Sequence, residues 1–158
     1  MNNKLKSVLL LCFCMLFLTC SSFSQNEEYN GVYIEDSNGR SFTKVNDSSF
    51  VIKISSKSLI QFTQIEKIVF ACEGWDTSHK LLVLVSNDTA NDIFYNYTKE
   101  NRGKRIAIVI KDKLIVAPKL NQPFLKAVFY IEGYSLEYLK ELYRYLKEKY
   151  NIESNFDD

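Results

Sequence analysis

Histidine, tryptophan, proline and glycine are all scarce here, at one, one, two and five residues in a chain of 158. The single histidine, His79, can offer a metal only itself and Asp76, whereas structural and catalytic sites need three or four convergent ligands. Glycines this few and scattered make no phosphate-cradling loop, and no zinc, EF-hand or nucleophile-elbow pattern occurs. Of the four cysteines, Cys12, Cys14 and Cys20 fall close to the N-terminus, which leaves Cys72 for the folded part and excludes a disulfide framework. Cys72 ends the apolar run 68–71 and reads as a core residue rather than a nucleophile. An excess of charge of one sign is also missing, since the formal net charge is +1. Nucleic acid, whose binding depends on a basic excess that displaces counterions, is thereby excluded as a partner. Catalysis and cofactors find no constellation to support them.

The first residues form a processing segment. Lys4 and Lys6 precede an unbroken apolar run at 8–18, and Ser22, Phe23 and Ser24 follow. This is the three-part pattern of a secretory signal, with cleavage expected after Ser24 and a mature start at Gln25. The run is short for a permanent membrane anchor. Cys20 offers a second route, lipid attachment, although Phe17 and Thr19 depart from the usual lipoprotein pattern. Loss of Lys4 and Lys6 with the leader turns the formal +1 into −1. The protein is therefore expected to be exported, in the periplasm or tethered there through Cys20.

Residues 25–150 read as one α+β domain, a mixed and largely antiparallel sheet with two principal helices packed on it. After a polar leader at 25–30, strands are expected at 32–34, 41–45 and 50–54. Asp36-Ser37-Asn38-Gly39 and residues 46–49 serve as the turns between them. Residues 59–65 suit a short helix or turn feeding a strand at 67–72. The apolar run 81–85 suits a central strand buried on both faces. Asn87 and Asp88 open a helix whose stripe holds Ala90, Phe94, Tyr97 and Thr98, widened by Ile93 and stopped at Gly103. Strands at 105–110 and 114–116 flank a tight turn at 111–113, Pro118 ends the pair, and a last strand covers 127–131. Ser135 caps the final helix, with Tyr134 expected to staple onto Leu139. Its stripe is Leu136, Leu139, Leu142, Tyr143, Leu146 and Tyr150. Residues 151–158 are expected to fray as an acidic tail.

Residues 98–118 read TKENRGKRIAIVIKDKLIVAP, and IEGYSLEYLKEL begins at Ile131. Between 81 and 146 the chain resembles the head part of the first periplasmic domain of SecD, in the SecDF family. There too a Thr-Lys-Glu-Asn-x-Gly-Lys-Arg-like run ends a helix. A strand, a tight turn, a strand ending in Ala-Pro and an Ile-x-Gly step into a helix follow. The resemblance implies family-motif positions at Thr98, Asn101, Gly103, Lys104, Arg105, Ala117, Pro118 and Gly133, mainly structural in role. Lys104 and Arg105 are expected at the negative end of the first helix. Two departures stand out. Residues 120–126 have no glycine where the family carries a Gly-Gly pair, which makes a stiffer and more apolar loop. After the leader, no apolar run is long enough to cross a membrane, so the family's proton-driven step has no counterpart in this sequence.

The resemblance implies a non-catalytic binding module whose partner is translocating or unfolded polypeptide, or an envelope protein. The alternative is a structural accessory, or an envelope lipoprotein, docked on a fixed partner without client binding. Tyr138 and Tyr145, beside lysines on the last helix, are the candidate exposed binding surface. An exposed strand edge with hydrophobic neighbours would favour the client-binding reading.

Overall fold

Asp-Ser-Asn-Gly is a strong turn signal, yet in this computed structural model, which describes residues 28–73 and 79–154, it does not turn the chain back. β1 runs unbroken from Gly31 to Lys44 and is paired antiparallel with β2 (Asp47–Ile54). Glu35 and Arg40 both face Ile54, so residues 36–39 bulge out of the strand, with Asp36 Oδ1 accepting the Asn38 amide at 2.9 Å. A local turn has formed inside a ladder whose long-range pairing resumes beyond it. Gly39 is required there, because a Cβ would lie 1.8 Å from the Ile54 carbonyl oxygen. The true reversal is tighter than expected and falls at residues 45–46.

β5 (Ile106–Ile110) pairs with the first half of β1, and β6 (Lys113–Val116) with β5. Lys44 at the far end of β1 meets Leu114 of β6. The order β2-β1-β5-β6 therefore nearly closes on itself through the bent β1. A second sheet has the order β7-β4-β3-β8, from Val128–Ile131, His79–Ser86, Ile65–Glu73 and Glu153–Ser154. The α+β class stands, with antiparallel pairing dominant, but the single sheet expected is two. Among the described residues only the short contacts β3–β8 and β1–β6 are parallel.

The helices α1 (Asp88–Glu100) and α2 (Leu136–Tyr150) begin where their caps were legible. Asn87 Oδ1 accepts the Ala90 amide at 3.0 Å and Ser135 Oγ the Tyr138 amide at 3.2 Å. α1 buries Ala90, Phe94 and Thr98; α2 buries Leu139, Leu142, Tyr143 and Leu146 and lies over β3 and β4. Each of the leucines and Phe94 withdrawn from water contributes roughly 1.5–3 kcal/mol before entropy is counted. A 3-10 turn at Phe62–Gln64 precedes β3, in the stretch expected to hold a short helix or turn.

One large core takes Val32, Leu82, Leu84, Phe94, Phe129 and the α2 stripe. A smaller one gathers Tyr33, Phe42, Ile52, Ile54 and Leu114. All of β5 is buried, Ile106, Ile108 and Ile110 in the first core, Ala107 and Val109 in the second. β4 is central but buries only one face fully. Leu82, Leu84 and Ser86 are buried, whereas Val83 and Val85 are half-exposed, because the helices cover one side of that sheet.

The expected fraying at 151–154 is corrected. Ile152 enters the large core and Glu153–Ser154 pairs with Lys67 and Ile68. The leader is likewise tied down at 28–30, as described below. Residues 1–27, with the signal segment, Lys4, Lys6 and Cys20, lie outside the described residues, as do Trp75, Asp76, residues 155–158 and the side chains of Cys72 and His79.

Gly39→Ala is expected to lower stability by about 2 kcal/mol or more, since its methyl would meet backbone rather than a side chain that can move. Urea unfolding of the two proteins measures this; equal midpoints would mean that the bulge relaxes without strain.

Candidate functional site

The 98–118 motif assembles one wall of a groove. Asn101 ends α1 by donating its side-chain amide to the Tyr97 carbonyl at 2.9 Å. Gly103, at a φ of +85° that disfavours other residues, donates its amide to Leu120 O at 2.7 Å. Leu120 N reaches Lys104 O at 2.8 Å, and Ile106 N reaches Pro118 O at 3.1 Å. These bonds lay residues 118–120 as an extension of β6 along the start of β5. Gly103 thus shapes the turn after the helix, while the helix itself stops at Glu100. Arg105 does not serve the helix end: its guanidinium donates to Ala117 O at 2.8 Å and lies 5.1 Å from the Phe50 ring centre. Ala117 is buried, Lys104 is exposed, and Gly133 O accepts from Asn46 Nδ2 at 3.4 Å across the approach to α2.

The opposite wall is β7. Ile106, Ile108, Leu120 and Phe94 line the groove between the walls, and Phe124 and Leu125 form its lip, enclosing about 530 Å³. Phe94 meets Phe129 edge-on at 5.2 Å and Phe124 at 6.1 Å, so α1, β7 and the lip share one aromatic contact. The glycine-free loop is clasped to α1: Phe124 N donates to Thr98 Oγ1 at 3.1 Å, and Ala127 N to Asn91 Oδ1 at 2.8 Å. Thr98 is fully buried and its hydroxyl donates to Tyr95 O at 3.1 Å. Despite this anchoring, Leu125 is 78% exposed and Tyr130 60% exposed. The lining offers apolar contact and main-chain pairing. Among the described residues no three His, Cys, Asp or Glu side chains gather as a metal site would require.

Tyr138 and Tyr145 are not the exposed surface expected of them, since both are half-buried and pack against the large core. Tyr138 is stacked with Tyr134 at 5.0 Å, and its buried hydroxyl has no partner among the described residues. The Tyr145 hydroxyl is 3.0 Å from Glu28 Oε2 and 3.1 Å from Asn30 Oδ1, and it accepts from Lys149 Nζ at 2.7 Å. Lys149 also pairs with Glu28 at 2.6 Å; that hydrogen bond holds the Glu28 carboxyl below its usual range and raises the Lys149 ammonium. Asp112 and Lys111 grip the same stretch through Tyr29 N at 2.9 Å and Asn30 Oδ1 at 2.9 Å, so residues 28–30 are no loose leader. Tyr134, expected as a staple on Leu139, packs against the large core and donates its hydroxyl to Ile115 O at 2.7 Å, and burial pushes its pKa up to about 12.

Fold and groove define a class: a two-sheet α+β domain that presents an apolar slot beside an open strand edge. The family described as SecDF, P1 head subdomain, matches residues 41–148, and the chain belongs to it. The protein translocase subunit SecD of Rickettsia typhi is 34% identical over 95 residues, 59% of this chain and 18% of its own. That of Rickettsia bellii is 33% identical over 79 residues, 49% of this chain and 15% of its own. The chain thus spans less than a fifth of either curated relative. Two solved structures share the fold at 18% identity. A crystal structure of SecDF in a super-membrane-facing form gives a TM-score of 0.56, covering 71% of this chain and 17% of that one. A structure of SecDF, a membrane component that enhances protein export, gives 0.57, covering 74% and 60%. No helix among the described residues is long and apolar enough to cross a membrane.

Thr98→Val keeps the volume but frees the Phe124 amide, and is expected to destabilise by about 1–2 kcal/mol and to speed hydrogen exchange at Phe124. Unchanged exchange would show that the clasp does not hold the lip. Tyr134 is neutral in the fold at pH values where a free phenol ionises, so its stabilisation is complete below pH 10 and fades as pH rises towards 12. Tyr134→Phe should therefore flatten the alkaline limb of the stability–pH curve while losing the bond to Ile115 O. An alkaline limb of wild-type steepness would exclude Tyr134 as its source.

Proposed function

We propose that this chain is an exported, non-catalytic module that contacts unfolded or translocating polypeptide through the groove between β7 and residues 118–120. The observation that carries the reading is the exposed pair Leu125, on the lip, and Tyr130, on β7, beside a strand edge that no strand pairs among the described residues. Single exposed apolar side chains are ordinary on a protein surface, but these two border one continuous groove lined by Phe94, Ile106, Ile108 and Leu120. Membership of the SecDF P1 head family supports it, as does the role of a solved relative as a membrane component that enhances protein export. Export rests on the leader at residues 1–24, with the mature chain starting at Gln25 or tethered through Cys20. The mass of the mature N-terminus separates those two routes.

The alternative, a structural accessory docked on one fixed partner, would suit a broad apolar face better than a narrow groove. Titration of the purified chain with a secretion-competent polypeptide, held unfolded, and with its folded form tests the function. Selective micromolar binding of the unfolded form, weakened about tenfold or more by Leu125→Asp, is the expected result. Equal binding of both forms, or of neither, overturns it.

A further inference from the structure

The register of β7 on β4 shows which of its backbone groups are free. Ser86 N donates to Ala127 O at 3.2 Å, which makes those two a hydrogen-bonded pair. The register continues through Val85↔Val128, Leu84↔Phe129, Val83↔Tyr130 and Leu82↔Ile131. Bonded and non-bonded pairs alternate along an antiparallel ladder, so Phe129 and Ile131 spend their groups on β4. Val128 and Tyr130 turn their N–H and C=O groups away from it, to an edge where no strand pairs among the described residues. Across the groove, Pro118 and Leu120 are bonded to Ile106, Lys104 and Gly103, and the same alternation leaves the Lys119 N–H and C=O unused.

Edges of this kind are usually guarded by proline, an inward charge or a bulge. β7, reading Val-Phe-Tyr-Ile, has none of these and is protected only by its length of four residues. The groove beside it, at about 530 Å³, lies within the size range of ligand sites. The charged residues lining it are Lys119 and Lys126, with no carboxylate among the lining residues.

We propose that the groove takes its occupant by strand addition. An extended apolar segment pairs with the outward groups of Val128 and Tyr130, seats alternate side chains over Ile106 and Phe124, and sets carboxylates beside Lys119 and Lys126. This rests on the polypeptide-contacting reading above and adds to it a mode and a preference. Strand pairing gives the affinity without regard to sequence, the alternate side chains select apolar residues, and the lysines select acidic flanks.

The test uses the purified chain and a fluorescent short peptide of alternating valine and threonine with glutamate flanks. A lysine-flanked twin and a glutamate-flanked form N-methylated at successive central residues serve as comparisons. The glutamate peptide is expected to bind about tenfold tighter than its lysine twin, and the joint variant Lys119→Glu with Lys126→Glu should invert that order. N-methylation, which leaves the protein untouched, is expected to weaken binding at least about tenfold. Val128→Pro removes one outward donor and no bond to β4, and should do likewise. If unfolded polypeptide still binds while N-methylation, Val128→Pro and flank charge change nothing, strand addition is overturned and the polypeptide-contacting reading survives. If neither peptide nor unfolded polypeptide binds, both fall. A concentration-dependent dimer that competes with the peptide and is lost in Val128→Pro would make a second copy the occupant, and overturns the proposal.

Discussion

Burial of β5 on both faces holds the domain together, because its isoleucines enter the larger core while Ala107 and Val109 enter the smaller. A strand in this position cannot shift register by one residue without exchanging the isoleucines for the small residues. That would overfill one core and leave voids in the other. The lock on β5 fixes residues 118–120, since their backbone bonds run to Gly103, Lys104 and Ile106. The wall of the groove is therefore set by the most deeply buried part of the protein.

The 98–118 motif gains a physical meaning from this arrangement. Thr98, Asn101, Gly103 and Pro118 are close in sequence to the end of α1 and the ends of the β5–β6 hairpin. In space they are the hydrogen-bonding hardware of one wall and its lip. The motif shapes a surface. Residues that determine a fold can in this way also determine what surface the fold offers.

Local signals were legible in the sequence and long-range ones were not. Asn87 and Ser135 are helix caps whose acceptors lie three residues from their donors, so spacing alone reveals them. The β5–β6 turn is equally local, with Lys111 and Asp112 at φ of 51° and 58°. Residues 36–39 misled for the opposite reason, because pairing of β1 with β2 and β5 on either side overrides a strong turn signal. Tyr145 sits on a helix beside lysines and reads as exposed, but its cover comes from Glu28, 117 residues earlier. The groove itself was the least legible feature: Ile106 and Ile108 look like any strand residues, and nothing local says that β7 ends its sheet.

The clasp between the lip and α1 has a kinetic consequence. Phe124 and Ala127 are already bonded to Thr98 and Asn91, and α1 is seated on β7 through Phe94 and Phe129. If the slot takes an occupant as proposed, little entropy of the clasped lip remains to be lost when it fills. In the proposed function, residence time then follows the contacts made rather than the closing and opening of the lip. Under the proposed function, a grip of that kind would suit a passing chain, let go as readily as it is caught.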